Sequence, residues 1–392
     1  MAIAVTFAVG CSTENDSTLP SNPPADTTTT STVSAPSSTT SGATPSPGYD
    51  FGEVSELVDG FVTQRGLTGA GLIVVERDDG IVFEEYWGEF DAERTSLIAS
   101  ASKLVSAGVL MRLDDEGLLD IDAPVADVAE WGSGNPDITP AQLISNSSGL
   151  VGIYPDPVYS PYICQYLPQP ILQDCGETIF TTTEDDGDVI APDSMFRYGG
   201  GQWQVAGAVA EVASGRSWSE LIDETYLQPC GLEPGSLGYS NYISEMGNGI
   251  DYPTEFTGDP STLVVTDNPS IEAGAYATPR VFAALLLMHL RGGVCGDGQQ
   301  VLSQEAVDRM IIDRVADYGG SAGPGRGYGL GWWVNRATGY VNSLGAYGAA
   351  PTLNPDAGFG YYLILEANDS TLQAIDGPLR TAIESAVLSR DQ

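Results

Sequence analysis

Ile98-Ala99-Ser100-Ala101-Ser102-Lys103 contains the only lysine of the chain, three residues after a serine. The other 14 of the 15 basic residues are arginines. Arginine stays protonated at any working pH, whereas lysine can lose its proton when desolvated or set beside other charge. A residue type avoided elsewhere and kept here points to a task arginine cannot perform. A serine one helical turn from an amine has the spacing of a nucleophile and its proton partner. Serine is frequent in this chain, so that spacing can arise by chance, and a solitary lysine can also be a surface side chain. The surrounding sequence has to decide.

A free lysine has a pKa of about 10.4 and is almost wholly protonated at neutral pH. Service as a base requires a drop of about 3 units, roughly 4 kcal/mol in favour of the neutral form. Burial can supply this, and a tyrosine hydroxyl would position the amine. A tyrosine partner is therefore expected.

Composition limits the function classes. The 392 residues allow one large domain or two modest ones. The formal net charge of −38 excludes nucleic-acid binding, which needs a basic patch. Such an excess keeps a protein soluble at the cost of self-repulsion that salt screens, which suits a saline habitat or an acidic exported protein equally. No apolar run is long enough to span a bilayer.

Residues 1–11 read as a partial lipoprotein-type signal: a short apolar run, Ala2 to Val9, precedes Gly10-Cys11. Cys11 would carry the lipid. No Lys or Arg precedes the run, although a signal needs a positive start. Residues 12–48 are Ser, Thr, Pro and Asp with little to bury, the composition of a disordered tether. Membrane attachment is expected only through Cys11, on a cell-surface, periplasmic or secreted protein. Cys164, Cys175, Cys230 and Cys295 allow three disulfide pairings. The short Pro-rich separation favours Cys164 with Cys175, which leaves Cys230 with Cys295. Metal ligation fits poorly, since there is no C-x-x-C and one histidine.

Residues 49–392 read as one domain. Gly71 to Glu76 and Gly80 to Trp87, joined at Asp78-Asp79-Gly80, predict a β-hairpin. Helical spacing follows from Ser100 to Glu116, over Thr139 to Ser147, over Gln202 to Ala213 and over Pro279 to Leu290. Leu150 to Cys175 has no regular period. Late strands are expected at Gly329 to Asn335, Tyr340 to Ala346 and Gly360 to Glu366, then a helix over Leu372 to Leu388. Early and late strands around a helical middle predict an α+β fold, its inserted helical region at roughly 125–270.

Two other serine-hydrolase designs can be tested. Gly319-Gly320-Ser321-Ala322-Gly323 matches G-x-S-x-G, but a nucleophile elbow needs a strand before it, a helix after it and a downstream histidine. The sole histidine, His289, precedes it and sits in an apolar helix, where a core or capping role is expected. A Ser-His-Asp triad is therefore disfavoured.

The ordered motifs are similar to those of the class C β-lactamase-like serine hydrolases, and closest in form to the family VIII carboxylesterases. Ile98 to Lys103 resembles their nucleophile segment. Gly117 to Val125 resembles the turn after it, and Asn146-Ser147-Ser148-Gly149-Leu150 the stretch usually read T-H-T-S-G-L. Phe196-Arg197-Tyr198-Gly199-Gly200-Gly201 resembles the second motif and places the tyrosine partner at Tyr198. Gly327 to Trp332 matches a later segment. The resemblance implies a β-lactamase/transpeptidase-like fold, an antiparallel sheet flanked by helices. It implies catalysis by Ser100, Lys103 and Tyr198, with no cofactor or metal.

Departures from the lactamase pattern bear on substrate. The asparagine of Tyr-x-Asn is replaced by Gly200, and the Lys-Thr-Gly motif by Leu344-Gly345-Ala346-Tyr347-Gly348, so no lysine can hold a lactam carboxylate. The third motif is assigned to Gly345, Ala346 and Tyr347. The amides of Ser100 and Tyr347 would form the oxyanion site. Gly200, Tyr154 in the Pro-rich loop and Trp332 are taken as substrate-binding. The expected activity is that of a carboxylesterase working through an acyl-serine on small esters. The alternatives are an amide-bond hydrolase on the same scaffold (D-amino-acid peptidase, β-lactamase or oligoamide hydrolase) and a binding protein that keeps the fold without turnover.

Overall fold

The hairpin at Asp78-Asp79-Gly80 forms one edge of the main sheet in the computed structural model, which describes residues 48–153, 159–182, 188–241, 256–263, 265–296 and 298–391. Cys11, the tether to residue 47 and Tyr154 lie outside the described residues. The early strands are β1 (Gly69–Glu76) and β2 (Gly80–Gly88), and the late ones β6 (Arg326–Tyr328), β7 (Trp333–Asn335), β8 (Val341–Asn342), β9 (Ala349–Asn354) and β10 (Phe359–Ile364). They form one antiparallel sheet of order β2-β1-β10-β9-β8-β7-β6. The first and last parts of the chain therefore meet through the β1–β10 pairing, with Ile73 opposite Tyr362.

Both faces of this sheet are covered, which is why β1 and β10 are apolar without alternation. Ala70, Leu72 and Val74 of β1 face one side with Tyr361 and Leu363, while Ile73 and Val75 face the other with Tyr362 and Ile364. Helix α1 (Gly52–Arg65) covers the first side with Val54, Val58 and Val62, a four-residue repeat that makes one stripe. The closing helix α8 (Asp369–Leu388) adds Leu372, Ile375, Leu379 and Ile383. Helix α7 (Pro279–Leu290) covers the second side, where Phe282 stacks on Tyr362 at 4.2 Å between centroids.

Helix α2 (Ser102–Asp115) has no polar face: Ser102 to Met111 are all buried. It runs through the centre of the second core. The helices α3 (Pro140–Ile144), α4 (Leu172–Thr181), α5 (Gly200–Ser214) and α6 (Trp218–Ile222) lie between β3 (Ser96–Leu97) and β5 (Ala275–Ala277) in sequence. A small sheet of order β3-β5-β4, with β4 at Leu237–Tyr239, adjoins the start of α2. Among the described residues the disulfides are Cys164–Cys175 and Cys230–Cys295.

Some elements differ from the sequence expectation. Gly329 to Asn335 is not one strand. Gly331 takes a left-handed φ of 82°, so of this run only β7 is strand, while β6 ends before it at Tyr328. Helix α3 stops at Ile144, because Asn146 is itself left-handed at φ 56°. Strand β9 was hidden by Pro351, a residue that argues against a central strand. The neighbouring β8 is only two residues long, so few ladder bonds are lost there.

His289 is a core residue. It lies near the C-terminus of α7, donates from Nδ1 to Leu285 O at 2.8 Å, and packs edge-on against Trp332 at 5.3 Å. Burial pushes its pKa down to about 4, against the opposing bond to Leu285. The unfolded chain gains this proton as pH falls through about 6.5 and the folded chain only near 4, so folded stability is lost across that interval. Between pH 7 and 4.5 the wild type should lose about 2 kcal/mol more stability than His289→Leu, as read by urea unfolding. Equal losses would show that this histidine is accessible to protons.

Candidate active site

Ser100 lies in a 3-10 turn, Ala99–Ala101, that runs directly into α2. Ala99 has φ 44°, an unfavourable value for a residue with a side chain. The strained turn is pinned from three sides. Ser102 Oγ donates to Ala99 O at 2.6 Å, Ala275 N donates to Ser102 Oγ at 3.0 Å, and Ile98 N donates to Ala275 O at 3.1 Å. The small sheet thus fixes the start of α2, and Ser100 is left partly exposed.

Lys103, one turn on, is 1% exposed. Its Nζ donates to Ser100 Oγ at 3.3 Å, to Glu272 Oε2 at 2.9 Å and to the main-chain oxygen of Glu272 at 3.2 Å. It also lies 4.6 Å from the Tyr198 ring centroid. Burial acts to lower the lysine pKa. The Glu272 carboxylate and the Tyr198 side chain outweigh it and hold the group above the ordinary lysine value. The expected fall is not what these contacts favour: the carboxylate 2.9 Å away tips the balance toward the charged form. The physical reason is the counter-charge, since a buried cation with a hydrogen-bonded carboxylate keeps its proton.

Tyr198 stands just before α5 in an aromatic wall. Its ring centroid is 5.4 Å from Trp333, 6.3 Å from Phe196 and 6.5 Å from Tyr328. Asn146 braces the base of α5, accepting from Gln202 Nε2 at 3.0 Å and Trp203 Nε1 at 3.1 Å. Ser148 Oγ donates to Gln202 Oε1 at 2.8 Å, so the 146–150 segment and the second motif form one unit.

The third segment closes the site from the main sheet. A Cβ on Gly345 would fall 1.9 Å from Ile98 O, so only glycine lets this turn touch the turn that carries Ser100. Ala346 is exposed, and the Tyr347 side chain is buried with Leu97, Ala99 and Phe256, so Tyr347 presents only its main chain. Ala367 N donates to Tyr347 O at 3.0 Å. The adjacent Glu366 carboxylate is held by Arg94 at 2.6 and 2.8 Å and by Ser96 Oγ at 2.7 Å. That buried ion pair ties the 345–348 turn to β3.

Two substrate-binding expectations change. Trp332 is fully buried against His289 and is withdrawn as a substrate contact. The residue beside Tyr198 is its neighbour Trp333, because the bend at Gly331 and the start of β7 turn successive side chains to opposite faces. Gly200 is not an open subsite. A Cβ there would lie 2.1 Å from Glu272 Oε1 and 2.2 Å from Gln165 Oε1, so its missing side chain makes room for a carboxylate.

Sequence reasoning missed Glu272. The signal was the buried-lysine argument itself: a lysine sealed in a core needs a counter-charge. Its partner is 169 residues away, a separation no local pattern reveals. The G-x-S-x-G match is a surface loop in which Ser321 is exposed and donates to Gly323 O at 2.6 Å.

The chain belongs to the Beta-lactamase family, whose model matches residues 54–384. That family is one of serine hydrolases. Penicillin-binding protein 4 of Amycolatopsis lactamdurans is 25% identical over 284 residues, 67% of this chain and 70% of its own. Among solved structures, EstCE1, described as a hydrolase with promiscuous acyltransferase activity, has a TM-score of 0.69 at 19% identity, covering 84% of this chain and 98% of its own. A penicillin-binding protein homologue from Caulobacter crescentus has a TM-score of 0.65 at 18% identity, covering 88% and 99%. At these identities the two structures share the fold.

Proposed function

We propose that this serine hydrolase is a carboxylesterase that works through an acyl-serine at Ser100. The observation that carries the proposal is the single lysine, buried and held 3.3 Å from Ser100 Oγ. Ser100 Oγ attacks the ester carbonyl and gives up its proton to the Lys103–Tyr198 pair, which can take it on the Tyr198 oxygen as phenolate beside the Lys103 ammonium. That pair hands the proton to the departing alcohol, then takes one from the water that releases the acyl group. The Ser100 and Tyr347 amides hold the oxyanion.

Ester over lactam follows from charge. A penicillin or cephalosporin carries a carboxylate, and Leu344-Gly345-Ala346-Tyr347-Gly348 has no cation to receive it. The space opened by Gly200 holds another carboxylate in place of an amide. The specificity constant for a short p-nitrophenyl ester should exceed that for a chromogenic cephalosporin by at least ~100-fold. A lactam value equal to or above the ester value would move the assignment to amide hydrolysis, the reading favoured by the likeness to Penicillin-binding protein 4. We place the enzyme outside the cytoplasm, attached through lipid on Cys11. Two disulfides fit an oxidising compartment, and among the described residues no helix is long and apolar enough to cross a membrane.

A further inference from the structure

We propose that Glu272 is a positioning residue of the reaction: its carboxylate keeps Lys103 as an ammonium ion aimed at Ser100, and Gly200 exists to admit it. The inference rests on the reading of Ser100, Lys103 and Tyr198 as the reacting group.

The geometry is specific. Glu272 holds Lys103 twice, through Oε2 at 2.9 Å and its main-chain oxygen at 3.2 Å. Two anchors from one residue fix the direction of the amine and leave its remaining reach for Ser100 Oγ. The Glu272 side chain is 12% exposed, so the pair is shielded from water and from salt. The other carboxylate oxygen points at the space above Gly200, where any side chain would displace it. Among the described residues, few groups compete for this charge. Tyr198, before α5, and Tyr328, at the end of β6, are the titratable groups that face the pair, and Lys103 is the charged one on α2. Gln165, which shares the space above Gly200, is neutral.

A carboxylate beside a catalytic lysine opposes the free amine and supports the ammonium. Its removal therefore has opposite effects in the two cases. If the ammonium is the working form, Glu272→Gln leaves burial unopposed, Lys103 loses its proton at lower pH, and activity is lost earlier on the alkaline side. If the free amine is the working form, the same change supplies more of it, and activity rises at neutral pH.

The experiment measures the second-order rate of Ser100 labelling by a fluorophosphonate across pH 5 to 10, in wild type, Glu272→Gln, Glu272→Asp and Gly200→Ala. This probe needs no knowledge of the natural acyl group. Failure of the ester assignment would leave wild-type labelling intact, whereas failure of the present inference would appear as variants that label like wild type. Glu272→Gln should label at least ~10-fold more slowly near pH 8, with its alkaline limb moved down by about one unit or more. Glu272→Asp, which keeps the charge, should recover part of both. Gly200→Ala should move the limb the same way, because its Cβ pushes the carboxylate aside without deleting it, and it decides the matter if the Glu272 variants do not fold. An unchanged limb, or faster labelling of Glu272→Gln at neutral pH, would overturn the proposal.

Discussion

Ser100→Ala should reduce ester turnover by ~10⁴-fold or more, with the loss in kcat. The methyl group fits the turn, since Ser100 is only partly buried and the turn is held by Ser102, Ile98 and Ala275. What disappears is the oxygen proposed to become acylated, along with the acceptor of the Lys103 hydrogen bond. The control is Ser321→Ala, in the second serine motif. Ser321 bonds only within its own exposed loop, so this change should stay within about twofold of wild type. Initial rates on a p-nitrophenyl ester separate the two. Normal rates in the Ser100 variant, or a large loss in the Ser321 variant, would relocate the nucleophile.

Tyr198→Phe should cost ~10³-fold in kcat, with a smaller change in KM. The substitution removes one oxygen and leaves the ring. The ring is held by Trp333, Phe196 and Tyr328, so the aromatic wall and the start of α5 should survive. The lost hydroxyl touches Lys103 and is one of the two groups through which the Ser100 proton passes in the proposed reaction. A buried ammonium deprived of that neighbour still has Glu272, so the fold has no unpaired charge to expel the lysine. Steady-state kinetics with circular dichroism make the check. A fall in KM-dependent binding alone, at unchanged kcat, would make Tyr198 a wall residue with no share in proton transfer.

The legible parts of this chain were those fixed by local chemistry. Asp78-Asp79-Gly80 announced the first hairpin because the turn needs residues of that kind. Pro279 to Leu290 was readable as a helix because a proline starts it and its apolar residues persist for three turns. The closeness of Ser100 and Lys103 was legible because one lysine in an arginine-using chain is conspicuous, and Tyr198 beside them was legible only through the resemblance of its motif. What stayed hidden depends on long-range packing. Strand β9 contains Pro351 and is defined by its neighbours β8 and β10. Trp332 and Trp333 are adjacent and chemically alike, and only the bend at Gly331 decides which enters the core. Glu272 and Gly200 lie 72 positions apart, and each makes sense only through the other.

The most direct test of the central claim is a rapid acid quench of the enzyme with an activated ester, followed by intact mass and peptide mapping. The expected result is a mass increase equal to one acyl group, on the peptide that contains Ser100, absent from Ser100→Ala. An acyl adduct on any other residue, or ester turnover with no adduct under conditions that trap one on a known acyl-serine enzyme, would contradict the account.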